Sequence, residues 1–253
     1  MSIYKTEAIV LNRHDFRETS LIANFYTRDF GKVSGLLKGI RQQPPKFAST
    51  CELFSHNEII FYHKRNSGLH LVSACDLREN FNLIRQDISR VTLASMMMEL
   101  VAAVMQLEDK NEEVFSLSIN CLKELGINRY AEKIATIFKI KFLSLSGFKP
   151  HFDSCVCCQD RILGAAKFSL SLGGLLCQGC FKKDTASRTI FRGTVATILH
   201  IERNELKDNL NLGLNPQIKK ELDIVLNSFI NYHLERELKS QKVLNKLAVT
   251  AEV

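Results

Sequence analysis

Five of the chain's eight cysteines crowd into residues 153–180, DSCVCCQDRILGAAKFSLSLGGLLCQGC. Cys155 and Cys158 form one C-x-x-C and Cys177 and Cys180 another, with 18 residues between the two pairs. That spacing falls in the range of four-cysteine zinc sites. Two thiolates separated by two residues can reach one ion from a tight turn, and two such turns complete a tetrahedron of sulfurs. Gly179 relaxes the second turn, while the first has no glycine. Four thiolates close the shell and leave no position for a reacting water, so the expected metal is a structural Zn²⁺. Cys157 is offset from both pairs and is read as a bystander, and His151 as a surface residue. A thioredoxin-like redox pair would need a βαβ pattern that is absent here. A disulfide pair would conflict with a reducing compartment. Metal-free cysteines are the remaining alternative.

No other residues assemble into recognisable chemistry. There is no P-loop, no G-x-G-x-x-G, no G-x-S-x-G and no H-E-x-x-H. The paired acids Glu108–Asp109 and Glu112–Glu113 sit at a helix start, where the helix dipole explains them. Cys51, Cys75 and Cys121 are isolated in apolar surroundings and read as small buried hydrophobes. Nothing in these motifs argues for catalysis.

The elements that must position the cysteines divide in two. Residues 1–80 alternate like a β domain, with strands expected at Ile3–Leu11, Thr19–Thr27, Lys32–Leu37, Glu58–His63 and Leu69–Leu77. Gly31 in TRDFGKV suits a turn with positive φ. Pro44 and Pro45 exclude a strand from the turn-rich segment 38–50. Five short strands suit a small closed barrel of the OB-fold type.

From residue 81 the period changes to helical. The run 83–107 predicts one mostly buried helix, with Met96, Met97 and Met98 in the core. Further helices are predicted at 111–126, ending on Gly126, and at 128–148, ending near Gly147 and Pro150. After the cysteines come helices near 191–204 and 216–240, the latter with Pro216 at its first turn. The fold class is thus α+β: an OB domain over 1–80, then a helical domain over 81–253 with a zinc-binding insertion at about 151–182.

The chain carries a net charge of +7. The excess sits at both ends of the sequence, the footprint of a polyanionic partner. Arg28, Lys32, Lys38, Arg41 and Lys46 lie close together with Asp29 as the one acid between them. Such cations, with aromatics as stacking platforms, could track a single strand over an OB surface. The candidate nucleic-acid contacts are Arg13, Arg17, Lys32, Lys38, Arg41 and Lys46. No apolar run is long enough to span a membrane, and the N-terminus has no leader pattern, so a cytoplasmic protein is expected.

Assembled, these parts resemble the RecO family of bacterial recombination mediators. The stretch AIVLNRHDFRETSLIANFYTRDFGKVSGLLKGIR is similar to the family's opening, with Asp15, Glu18, Thr19, Thr27, Gly31 and Lys38–Arg41 at matching places. YHLERELKSQKVL (232–244) is similar to its ending, above all Leu238–Ser240 and Lys242. The resemblance implies a nucleoid-associated protein that is not an enzyme, binds single- and double-stranded DNA and anneals strands coated by single-strand-binding protein. It also implies loading of the recombinase with RecR, and contact with the acidic C-terminal tail of single-strand-binding protein. Some members lack the cysteines, which implies an architectural metal. Two other readings remain open: a zinc-ribbon RNA-modifying enzyme, and a scaffold acting through protein partners alone.

Overall fold

The structure, a computed structural model, describes residues 2–43, 46–64 and 67–251, with side chains through residue 246. Pro44 and Pro45, where the sequence excludes a strand, lie outside the described residues, as does the final pair 252–253 of the expected helical domain. The chain divides into two compact units, Met1–Ala135 with Leu238–Val253, and Thr136–Glu237.

The first unit is built on five strands: β1 (Ser2–Phe16), β2 (Ser20–Thr27), β3 (Gly31–Leu37), β4 (His56–His63) and β5 (Leu69–Glu79). They pair in the order β1-β2-β3-β5-β4, and β4 returns to β1, so the ring of pairings closes. All pairs are antiparallel except β3 with β5. β1 is long because it serves two partners, β4 through Ser2–Ile9 and β2 through Ala8–Phe16. A register shift between Val10 and Asn12 lets it bend from one to the other.

Period-2 alternation fills the ring. Leu21, Ala23 and Phe25 of β2 meet Val33 and Leu37 of β3, Ile59 and Phe61 of β4, and Val72 and Cys75 of β5. Phe47 inserts from the β3–β4 connection. The opposite face is also covered: Ile9 and Tyr26 are fully buried, and the Tyr26 hydroxyl donates to the Asn111 carbonyl at 3.3 Å. Burial pushes the Tyr26 phenol far above its ordinary range, so it stays a neutral donor.

Gly31 has the positive φ that the sequence suggests, at 63°. A Cβ there would also lie 2.2 Å from the Asp109 carbonyl oxygen. Gly31→Ala should therefore lower stability by about 2 kcal/mol or more. Urea unfolding tests this, and an unchanged midpoint would contradict it.

The predicted helix over 83–107 is broken. Its parts are α1 (Asn82–Arg85) and α2 (Ile88–Val104). The break has a local cause: the Asp87 carboxylate accepts from the Ser89 and Arg90 amides and starts a new helix. α2 packs on β1, and Met96, Met97 and Met98 are buried at 0–1% exposure, as expected of core residues. α3 (Glu112–Ile127) follows and runs through Gly126 instead of stopping there. Asn128 is the C-cap, and the Arg90 guanidinium donates to the Leu125 and Gly126 carbonyls at 2.5 and 2.7 Å. Those last-turn carbonyls are thus satisfied without an end glycine.

The division between units falls within α4 (Ala131–Leu145). In the second unit, β6 (Ala166–Ser169), β7 (Gly174–Cys177) and β8 (Arg188–Ile190) form a small antiparallel sheet. α5 (Arg192–Arg203), α6 (Leu206–Leu210) and α7 (Pro216–Leu234) complete it. Asn215 caps α7 and Pro216 stands in its first turn, as the sequence predicts. The core stacks Phe152 on Phe168 at 5.4 Å, with Phe229 of α7 against Phe168 at 6.2 Å.

The predicted helix 216–240 also breaks, at Glu235, which takes a left-handed φ of 53°. The chain then returns to the first unit as α8 (Lys239–Ala251). Glu99 of α2 receives it: its carboxylate accepts from the Lys239 amide (2.9 Å), the Ser240 amide (2.9 Å) and the Ser240 hydroxyl (2.6 Å). An anion among the first-turn amides of a helix is doubly favoured. Glu99→Ala should cost about 2 kcal/mol and speed hydrogen exchange in 239–246. Unchanged protection there would contradict this account of the Lys239–Ser240 pair.

Candidate metal centre and basic cleft

The four cysteines come from two tight turns held side by side. Cys155 and Cys158 lie in a turn closed by Cys155 N–H on the Asp160 carbonyl and Gln159 N–H on the Cys155 carbonyl, both 2.9 Å. In place of the missing glycine, Gln159 takes the left-handed conformation, φ 63°. Cys177 ends β7, and Cys180 lies in a 3-10 helix, Gln178–Lys183. Gly179 does not have a positive φ, and a Cβ there would meet the Cys177 sulfur at an ordinary 3.9 Å, so the second turn does not depend on it. The close approach lies elsewhere. Residues 151–156 run along β7, with Leu175 N–H on the His151 carbonyl (3.0 Å) and Val156 N–H on the Leu175 carbonyl (2.8 Å). A Cβ on Gly174 would lie 2.8 Å from the His151 carbonyl oxygen.

The four sulfurs all lie within 4.8 Å of one another, and Cys158 and Cys177 are 3.7 Å apart. A tetrahedron with zinc–sulfur arms of 2.3 Å has edges of about 3.8 Å, so the donor set fits the ion. All four are free thiols. Burial pushes the Cys155 thiol up, but the amides of Cys158, Cys177 and Cys157 donate to its sulfur and bring it down to about 6. Cys158 is lowered by the Asp160 amide, yet its contact with Cys155 and burial outweigh this and push it up to about 12. Contact with Cys177, then burial, push Cys180 up to about 11. One thiolate forms readily and its neighbours then resist ionising. A divalent cation would supply the missing positive charge. Cys157 is exposed and outside the cluster. His151, half-buried and not the surface residue expected, also lies outside the cluster, its Nε2 2.7 Å from the Ser154 hydroxyl.

A second group of possible ligands was invisible in the sequence. His63, His70 and Glu108 converge in the first unit, with both Nε2 atoms 3.3–3.4 Å from one Glu108 oxygen. The Nδ1 of His70 accepts from the Lys64 amide at 3.2 Å. A neutral ring with that acceptor carries its proton on Nε2 and donates it to Glu108. Metal ligation through Nε2 would move the proton to Nδ1, against an N–H donor. The arrangement suits a hydrogen-bonded brace better than a metal site.

The basic residues separate by what they touch. Lys32 donates to the Ala102 carbonyl in the last turn of α2 at 2.9 Å, and burial lowers its pKa. Arg13 donates to the Thr50 carbonyl (2.8 Å) and pairs with Glu52 (3.3 Å). Arg28 is held by Glu112 at 2.6 Å. Arg41 bonds Asp15 and the Arg17 carbonyl, both at 2.6 Å, and so fixes the turn that presents Arg17 at φ 55°. The remaining three, Arg17, Lys38 and Lys46, line one open cleft of ≈ 1000 Å³ with Phe16, Thr19, Gln42 and the acid Glu18. Arg17 lies over the Phe16 ring at 5.2 Å, so a cation and a ring share the wall, while Lys46 lies 5.8 Å from the core ring of Phe47. Sequence listing of charges could not separate these three from the others, because their neighbours in space decide it.

Residues 1–81 match the family model "Recombination protein O N terminal", and 85–242 match "Recombination protein O C terminal". The chain belongs to the RecO family. It is 31% identical over 251 residues to DNA repair protein RecO of Syntrophus aciditrophicus, covering 96% of each chain. It is also 31% identical over 248 residues to DNA repair protein RecO of Desulfatibacillum aliphaticivorans, with 96% of each chain covered. For the Pelotomaculum thermopropionicum protein the identity is 29% over 246 residues. The two RecO models meet between residues 81 and 85. Packing in this member groups α1–α3 with the strands. No helix among the described residues is long and apolar enough to cross a membrane.

Proposed function

We propose that this RecO-family DNA repair protein is a non-enzymatic recombination mediator that binds single- and double-stranded DNA through its N-terminal strands. The five-stranded ring is read as an OB-fold barrel. Its pairing order, with β3 and β5 parallel, supports that reading. The observation that carries the function is the cleft where Arg17, Lys38 and Lys46 stand with Phe16. Cations that neutralise phosphates, next to a ring on which a base can stack, suit a sequence-independent single-strand site. Annealing needs no bond made or broken, only a surface that holds two polyanions together.

Zn²⁺ is proposed at Cys155, Cys158, Cys177 and Cys180 as an architectural ion. When bound it would supply the positive charge that holds two turns together, while DNA contact stays with the first unit. RecR and single-strand-binding protein are the proposed partners, and a cytoplasmic, nucleoid-associated location follows from the DNA role. An acidic, apolar tail would suit the exposed Ile127 and Tyr130, flanked by Arg129 and Lys133, whose charges lie 4.6 and 4.8 Å from the Tyr130 ring. The test is binding to a labelled single strand across a salt series. Tight binding at low salt that falls steeply with salt is expected. No binding at low salt would remove the mediator reading. Capture of single-strand-binding protein with no DNA shift would favour the scaffold.

A further inference from the structure

Cys51 and Cys75 look unrelated in sequence, 24 residues apart. In the fold their sulfurs face each other across the core of the strand ring at 3.3 Å. Both are free thiols, 0% and 1% exposed. A disulfide needs about 2.05 Å between sulfurs, so a movement of little more than one ångström would join them.

The alignment is built by a specific set of bonds. Ser49 donates its amide to the Cys75 carbonyl at 3.1 Å, and its hydroxyl accepts from the Cys51 amide at 3.1 Å. The same hydroxyl donates to the buried Asn57 side chain at 2.5 Å. Cys51 is held at a left-handed φ of 51°. Both thiols are therefore fixed from the backbone, one on the β3–β4 connection and one on β5. Their roles are unequal. The hydrogen bond from Cys75 lowers the Cys51 thiol, against burial, and raises that of Cys75. Arg13 also favours the Cys51 thiolate, and Glu52 opposes it.

We propose that Cys51 and Cys75 are a modification site, a buried dithiol that a hydroperoxide converts to an intramolecular disulfide. The Cys51 thiolate attacks the peroxide's outer oxygen and becomes a sulfenic acid. The oxygen–oxygen bond breaks and the departing hydroxide takes a proton. Cys75 then gives up its proton and attacks the Cys51 sulfur, and the hydroxyl leaves as water. Two thiols and one hydrogen peroxide thus give one disulfide and two waters. Because neither sulfur is exposed, the peroxide enters when the 46–55 segment opens. The product pins to β5 the segment that carries Lys46 to the cleft. This site stands independently of the DNA-binding reading.

The test uses the full-length protein and hydrogen peroxide, followed by alkylation and peptide mapping without reductant. The expected result is a linked pair of peptides holding Cys51 and Cys75, lighter by two hydrogens and separated by dithiothreitol. The urea midpoint of the oxidised protein should rise, and the rise should vanish in Cys75→Ala. Recovery of both residues as alkylated thiols, under conditions that oxidise the exposed Cys157, would overturn the proposal. So would linkage of Cys51 to a different cysteine, or a midpoint that rises equally in Cys75→Ala. If that variant does not fold, the peptide map of the unaltered chain decides the matter alone.

Discussion

Reversing Arg17, Lys38 and Lys46 together to glutamate should weaken single-strand binding by roughly a hundredfold at low salt, because each reversal removes ~1 kcal/mol of attraction or more at contact distance in water. Affinity should also become less salt-dependent. Three lost phosphate contacts lower the log–log slope by about two for a single strand. The fold should survive, since all three side chains are exposed. Arg41 is left out of the set because its guanidinium fixes the 15–19 turn through Asp15 and the Arg17 carbonyl. Its loss would confound positioning with contact. A matched control reverses Lys182, Lys183 and Lys207, exposed in the second unit. An equal loss in the control would mean that net charge, and not the cleft, governs binding.

Removing the proposed zinc should have the other large effect. A structural site of this kind contributes on the order of 10 kcal/mol of metal-binding free energy, much of it realised as folding. Chelation should expose the amides of 151–183 to exchange, because the Cys155 turn leans on β7 and the two turns share only the sulfur cluster and a few hydrogen bonds. The strands of the first unit should keep their protection, since their core contains none of these residues. Cys180→Ser should reproduce the effect and Cys157→Ser should not, because Cys157 lies outside the cluster. Elemental analysis that finds no zinc in the purified chain, or exchange unchanged by chelation, would contradict the architectural role.

Much of this was legible in the sequence, and for identifiable reasons. Strand alternation such as Leu21–Ala23–Phe25 is a local signal, and so is C-x-x-C spacing. Four of the five strands end within two residues of their expected ends, while β1 runs five residues past Leu11 because its second half pairs with β2. The helix breaks were local too, but fainter: Asp87 looked like one more polar residue in an apolar run until its carboxylate was seen to take two amides. Glu235 gave no warning, because a glutamate rarely adopts a left-handed conformation. α6 and β8, with five and three residues, are too short to show a period. What sequence reading could not reach was partnership across distance. The same residue type serves three ends: Lys32 bonds a helix carbonyl, Lys139 is buried against Asn227, and Lys46 faces a cleft. The pairing of Cys51 with Cys75 is likewise a product of the closed strand ring, not of any motif.

The most direct test of the central claim is hydrogen exchange measured with and without a short single strand at low salt. The account predicts new protection concentrated in 16–20, 36–42 and 46–50, the segments that bring the cleft's cations and Phe16 together. Protection confined to the second unit, with those three segments unchanged, would contradict it.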